Sequence, residues 1–202
     1  MSESKIDGHD GKISRMTDSE VTQAKTALRA KIRAARKSKQ EGHFCEDEHD
    51  EHLVMFLADQ NVRKIAAYIA LEDEPCTDLL LDVCEQVGIQ VLVPRVVNDD
   101  LEWAIFNWDD LTEGEFGILE PTGPAEPLQV DAVLVPALAV DAAGNRLGKG
   151  RGFYDRALLE LENRVPIIAL VHDEEVFEEI PHESHDLKVD YVACCTGVHK
   201  LD

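Results

Sequence analysis

The feature that most limits the fold is a set of short, almost wholly apolar runs. Residues 64–71 (KIAAYIAL), 89–94 (IQVLVP), 131–140 (DAVLVPALAV), 166–171 (PIIALV) and 191–196 (YVACCT) carry apolar side chains at consecutive positions. A strand with one wet face alternates apolar and polar residues, whereas consecutive apolar residues need cover on both faces. The intervening segments supply that cover: helices are predicted from Thr77 to Gly88, over 154–163 and over 173–179. LEWAIF (101–106) reads as a shorter strand and GILEPTGPAEP (117–127) as a loop. The pattern predicts an α/β class protein, a single three-layer α/β/α domain with a mainly parallel sheet, spanning 17–202.

Before the first strand, Val21, Ala24, Leu28, Ile32 and Ala35 recur at steps of three and four, so 19–40 is an amphipathic helix. A second helix is expected over 47–60 with Leu53, Phe56 and Leu57 inward. Residues 1–16 are polar and glycine-containing and read as a flexible leader with no secretory apolar block. No apolar run approaches the ~20 residues that span a bilayer. The five cysteines form no CxxC, and adjacent Cys194 and Cys195 are poorly placed for a bridge, which favours reduced thiols and a cytoplasmic residence.

Charge narrows the partners. The chain has 20 basic and 41 acidic residues, a formal net charge of −21. Against this, 25–39 holds Lys25, Arg29, Lys31, Arg33, Arg36, Lys37 and Lys39 with no acid, and 146–156 holds four basic residues against Asp155. A long-range field this negative repels polyanions, so nucleic-acid and membrane binding are disfavoured, while a local basic pocket for a small anion is allowed. No obligate protein partner is evident.

The run that best suits such a pocket is DAAGNRLGKGRGFYDRALLE from Asp141, placed after a buried strand and before a helix. Ligands of open α/β sheets bind at the carboxyl ends of strands. Gly148, Gly150 and Gly152 alternate with Lys149 and Arg151, so backbone can approach an anion while cations surround it, and the next helix adds its N-terminal N–H groups. Asp155 adds a carboxylate, as a phosphate chain with Mg²⁺ would need. As a glycine pattern alone the string is equally a solvated basic turn. It is neither GxxxxGK[ST] nor a dinucleotide-binding GxGxxG.

Taken whole, NRLGKGRGFYDRAL resembles the glycine-rich signature of the 5-formyltetrahydrofolate cyclo-ligase family, and other segments follow in that family's order. KTALR (25–29) resembles its N-terminal Lys-xxx-Arg helix, and AYIALEDEPCTDLLL (67–81) its strand, acidic turn and Thr-started helix. VLVPR (91–95), FGILEP (116–121) and PHESHDLKVDYV (181–192) also fit, so the likeness runs from about Lys25 to Thr196. It implies a cytoplasmic, ATP- and Mg²⁺-dependent C–N bond-forming ligase that converts 5-formyltetrahydrofolate to 5,10-methenyltetrahydrofolate. It further implies ATP contacts from Lys25, Arg29, Arg146, Leu147, Gly148, Lys149, Gly150, Arg151, Gly152, Phe153 and Tyr154, with Lys149, Arg151 and Tyr154 catalytic. Glu74 and Tyr154 would bind the reduced folate, and Asp155 and Asp186 would hold Mg²⁺. Phe153 stands where the family often has Tyr, and Pro75 and Cys76 replace the residues common in its turn.

Other readings compete. A non-catalytic nucleotide- or RNA-binding relative would share the fold, as would an enzyme acting on sugar phosphates or acyl thioesters without ATP. Lys37 and Lys39 read as surface. Cys45, His49 and His52 have a zinc-like spacing within a strongly acidic stretch that reads as a solvated helix. Trp103 reads as core, Glu120 as a folate-side or exposed loop carboxylate, and Glu72 and Asp73 as solvated neighbours of Glu74.

Overall fold

The computed structural model describes residues 17–39, 48–114, 117–161 and 163–202. The leader over 1–16 and Cys45 lie outside the described residues. Among the described residues, helices α1 (Asp18–Lys39), α2 (Glu48–Asp59), α3 (Asp78–Val87) and α4 (Phe153–Ala157) accompany thirteen strands. These are β1 (Lys64–Ala66), β2 (Gln90–Val97), β3 (Asp100–Ile105), β4 (Leu111–Glu113), β5 (Leu119–Pro121), β6 (Ala125–Glu126) and β7 (Ala132–Pro136). Then follow β8 (Ala139–Asp141), β9 (Arg146–Leu147), β10 (Ile167–Leu170), β11 (Val176–Phe177), β12 (Tyr191–Cys194) and β13 (Gly197–Lys200).

The main sheet has the order β13-β12-β10-β7-β1-β2-β3-β6. Pairing is parallel from β12 through β10, β7 and β1 to β2, while β13, β3 and β6 join antiparallel at the two ends. The parallel strands are those with consecutive apolar residues, and successive side chains enter opposite layers. Ile65, Leu134, Ile168 and Ala193 pack with Leu53 and Leu57 of α2 and Leu80 and Leu81 of α3. Their neighbours Ala66, Val133, Ala169 and Val192 pack with Trp103, Ala157, Leu158 and Val189. A third cluster seats α1, through Ile32 and Leu28, on Leu138, Ala139 and Leu147 of the small sheet β11-β8-β9.

The expected mixed α/β architecture with a mainly parallel sheet is present, but several local expectations change. The run 64–71 contributes only three residues to β1, because the chain leaves the sheet to build the acidic turn. The run 131–140 divides at Pro136 into β7 and β8, which belong to different sheets. The helix expected over 154–163 is the five-residue α4 followed by a 3-10 turn, and 173–179 forms a 3-10 turn and β11. The stretch 117–127 includes strands β5 and β6. Thr77 precedes α3 without capping it: its Oγ1 donates to the Tyr68 carbonyl at 2.9 Å and accepts from Ala70 N–H at 3.1 Å, tying the turn to the end of β1.

The net charge of −21 carries a prediction. Like-charge repulsion opposes compaction and salt screens it, with a Debye length of ~30 Å at 0.01 M falling to ~3 Å at 1 M. Raising NaCl across that range is expected to raise Tm by several degrees in a circular-dichroism melt. A falling Tm would show that attractive ion pairs outweigh repulsion.

Candidate active site

A cleft of about 700 Å³ opens beyond the carboxyl ends of β1, β2 and β7, walled by α1, the turn after β1 and the glycine loop. The predicted residues Lys25, Arg29, Glu74 and Asp186 line it, as do 146–155.

The glycine loop starts at Arg146 on β9. The Arg146 side chain is buried, donating from Nη1 to the Pro136 carbonyl at 3.0 Å and from Nη2 to both Asp155 carboxylate oxygens at 3.1 and 3.2 Å. Gly150 (φ 104) and Gly152 (φ 68) adopt the left-handed backbone that disfavours side chains, which turns the loop into α4. Because α4 is so short, the helix N-terminus expected to assist the loop is a minor feature; cations dominate instead. Arg29 Nε donates to the Gly148 carbonyl and Arg33 Nη2 to the Lys149 carbonyl, each at 2.9 Å, so α1 grips the loop by its backbone. Arg151 is exposed, with its guanidinium 5.9 Å from the centroid of the Phe153 ring.

The acidic turn meets the loop directly. Lys149 Nζ is 2.9 Å from Glu74 Oε1 and 3.2 Å from Asp73 Oδ1. Glu74's other oxygen accepts the Leu71 N–H at 3.0 Å, and its side chain is only 6% exposed. The expectation that Asp73 is merely a solvated neighbour of Glu74 is therefore corrected. Tyr154 packs edge-on to Trp103, which is core as expected, with centroids 6.2 Å apart. Burial and the nearby Glu74 charge push the Tyr154 phenol well above its ordinary pKa, so it is a neutral hydroxyl. Glu120 also lines the cleft, its Oε1 accepting the Val96 N–H at 3.0 Å.

At the other end, Lys25 Nζ contacts Glu183 Oε2 at 2.6 Å and Asp186 at 2.8 Å (Oδ1) and 2.6 Å (Oδ2). Asp186 Oδ2 also accepts the Glu183 N–H. Glu183, His185 and Asp186 offer ligand atoms all within 4.8 Å of one another, the one such group among the described residues. Mg²⁺ takes hard oxygen ligands, and the carboxylates of Glu183, Asp186 and Asp155 are of that kind. Both predicted metal residues nevertheless have cationic partners, Arg146 for Asp155 and Lys25 for Asp186, so a metal at these oxygens competes with an ion pair. His49 is buried, with Nε2 2.8 Å from the Cys76 carbonyl, while His52 is exposed, so this acidic helix is not solvated throughout as expected.

Burial raises the Asp155 pKa, but the Arg146 guanidinium and the Leu187 N–H at 3.0 Å outweigh it and hold the carboxyl below its ordinary value. A depressed folded-state pKa stabilises the fold above the unfolded carboxylate pKa of ~4, and that contribution is lost as pH falls through the folded value. Asp155→Asn is expected to be less stable than wild type at pH 7 and to converge with it on acid titration. A stability gap constant down to pH 2 would remove Asp155 from this linkage.

Glu183, Tyr68 and Arg33, which line the cleft, escaped the sequence reading as site residues. Glu183 sits inside the quoted PHESHD string, and Arg33 continues the helix face of Lys25 and Arg29. Tyr68 had no signal, being one apolar-looking member of a strand.

An α/β fold with a cation-lined cleft at its strand ends, closed by a carboxylate turn, defines an anion-handling enzyme of the open-sheet class. The model of the 5-formyltetrahydrofolate cyclo-ligase family matches residues 21–195. The chain belongs to that family, whose members are ATP-dependent ligases. It is similar to 5-formyltetrahydrofolate cyclo-ligase of Mycolicibacterium smegmatis, with 40% identity over 140 residues covering 64% of this chain and 72% of that protein. Against the Haemophilus influenzae protein of the same description, identity is 29% over 177 residues, covering 82% and 95%. The solution structure of Aquifex aeolicus 5,10-methenyltetrahydrofolate synthetase superposes with a TM-score of 0.76 at 26% identity, covering 88% of this chain and 92% of that one.

Proposed function

We propose that this chain closes the ring of 5-formyltetrahydrofolate to 5,10-methenyltetrahydrofolate, consuming ATP and releasing ADP and phosphate. The observation that carries the proposal is the 2.9 Å contact between Lys149 of the glycine loop and Glu74 of the acidic turn, which puts a phosphate-type cation and a pterin-type acceptor in one cleft. A formamide oxygen is a poor leaving group. Its attack on the γ-phosphorus of ATP releases ADP and makes that oxygen a phosphate ester; N10 then attacks the formyl carbon and gives up its proton, and the C–O bond breaks as phosphate departs. Such chemistry asks a protein for positioning and charge neutralisation more than for a nucleophile.

The residues divide accordingly. Lys149, Arg151, Arg146 and Lys25 face the phosphates, and Arg29 fixes the loop formed by Leu147, Gly148, Gly150, Gly152 and Phe153. Glu74 accepts N–H donors of the reduced pterin, and the neutral Tyr154 hydroxyl orients it. Asp186, Glu183 and Asp155 would hold Mg²⁺, which when bound neutralises phosphate charge. Lys25, which pairs with Asp186 and Glu183, would stand between those carboxylates and the phosphates. The partners are reduced folate and ATP, with nucleic acid and membrane disfavoured by the net charge of −21. No described helix is long and apolar enough to cross a membrane. The sequence holds no CxxC pair, which fits a reducing, cytoplasmic compartment.

The test mixes protein, 5-formyltetrahydrofolate and MgATP and follows the near-ultraviolet band of the methenyl product. The band is expected to grow only when ATP is present. Folded protein that yields no band would overturn the proposal.

A further inference from the structure

Among the described residues, one deeply buried guanidinium plays no part in the cleft chemistry. Arg36 lies on α1 and is 3% exposed. Its Nε and Nη2 meet Glu175 Oε1 and Oε2 at 2.6 and 2.7 Å, Nη2 also donates to the Ala137 carbonyl at 2.8 Å, and Nη1 donates to the Asp73 carbonyl at 3.1 Å. Glu175 in turn accepts the His172 N–H at 3.0 Å. One guanidinium therefore ties α1 to the acidic turn, to the β7–β8 junction and to the segment after β10.

Stability alone is a weak reason for this arrangement. A buried ion pair recovers little more than its own desolvation cost, and a well-packed apolar pair of similar volume commonly does as well. What such a pair does supply is geometry, because the planar fork fixes several partners at once. The partner of interest is the Asp73 carbonyl. Asp73 and Glu74 are the two acids that hold Lys149, and Glu74 belongs to the same turn through the Glu74 N–H bond to the Leu71 carbonyl at 2.9 Å. The same face of α1 holds the glycine loop through Arg29 and Arg33. At 1.5 Å per residue, the face from Lys25 to Arg36 measures roughly 16 Å. The helix thus spans the cleft as a spacer, gripping the loop at its middle and the turn at its far end.

We propose that Arg36 is a positioning residue: by fixing the Asp73 carbonyl and locking α1 to Glu175, it sets the turn where Glu74 reaches both Lys149 and the reduced pterin. This rests on the folate reading of the cleft. Arg36 touches no substrate and acts through Glu74.

Arg36→Lys keeps the charge but cannot bond in both directions, and Glu175→Gln keeps Arg36 but removes its anionic anchor. Two readouts separate positioning from plain structural support. KM does not depend on how much of the sample is active, so a merely destabilised enzyme retains its folate KM. Amide exchange of Leu71 reports the turn itself, since its acceptor is the Glu74 carboxylate. Arg36→Lys is expected to raise KM for 5-formyltetrahydrofolate about tenfold, more than it raises KM for ATP, as displacement of a binding group does. Leu71 exchange is expected to quicken about tenfold relative to amides of β7 and β10. Glu175→Gln should move both readouts in the same direction by less. Lowered Tm with wild-type folate KM, and Leu71 exchange that merely tracks the core strands, would overturn the proposal. If wild-type protein forms no methenyl product, the folate reading fails, while the Leu71 exchange ratio still decides whether Arg36 holds the turn.

Discussion

Lys149→Ala is expected to lower kcat/KM for ATP about 100-fold while leaving the far-ultraviolet spectrum unchanged. The lysine projects from a loop and its side chain is 33% exposed, so the fold does not depend on it. Two losses combine in the active site. A charge-assisted contact to phosphate is worth ~1.5 to 3 kcal/mol, or roughly tenfold to 150-fold. The variant also strips Glu74 of its cationic partner, although the Leu71 N–H still bonds that carboxylate. Steady-state kinetics with ATP varied at saturating folate check this, and near-wild-type values would show that the glycine loop is not the phosphate site.

Glu74→Gln is expected to reduce kcat/KM for 5-formyltetrahydrofolate about tenfold or more, through loss of one charge-assisted bond worth ~1.5 to 3 kcal/mol. Its effect on ATP is the more informative part. Were the turn remote from the phosphate cluster, ATP binding without folate would be unaltered. Because Lys149 lies 2.9 Å from Glu74, the amide instead releases the lysine, and ATP affinity measured alone should rise while folate affinity falls. Residues in contact couple, so Lys149→Ala and Glu74→Gln together should deviate from additivity by more than the ~0.5 kcal/mol typical of distant sites. Strict additivity, or equal loss for both ligands, would refute the coupling.

Much of this was legible in the chain. Consecutive apolar residues identified the parallel strands because burial on both faces leaves that trace in sequence. The string from Asn145 to Leu158 located the loop, since alternating glycine and cation is a local pattern serving a local geometry. What was not legible is long-range pairing of charges. Nothing near Lys25 shows that Glu183 and Asp186 will meet it, and nothing near Arg36 shows that Glu175 will. The same acidic excess that disfavours polyanions also conceals the few carboxylates with partners among many that merely face water. Helix lengths after Gly152 and His172 were overestimated for another reason: 3-10 turns and short helices share the polar–apolar spacing of longer ones over a single turn.

The Lys25 contact with Asp186 joins residues 161 positions apart, and Arg36 meets Glu175 across 139. Contacts of such separation form only after large loops have closed, so the cleft is assembled late, when the sheet already stands. During synthesis the chain can therefore have its strands through β7 in place and still lack the glycine loop, and the end of the cleft where Lys25 meets Asp186 is completed only when the segment carrying Asp186 emerges. Ligands that bind across those two ends hold the first helix against the last third of the chain. Nucleotide should accordingly protect the whole protein against proteolysis, and not just the loop that it touches.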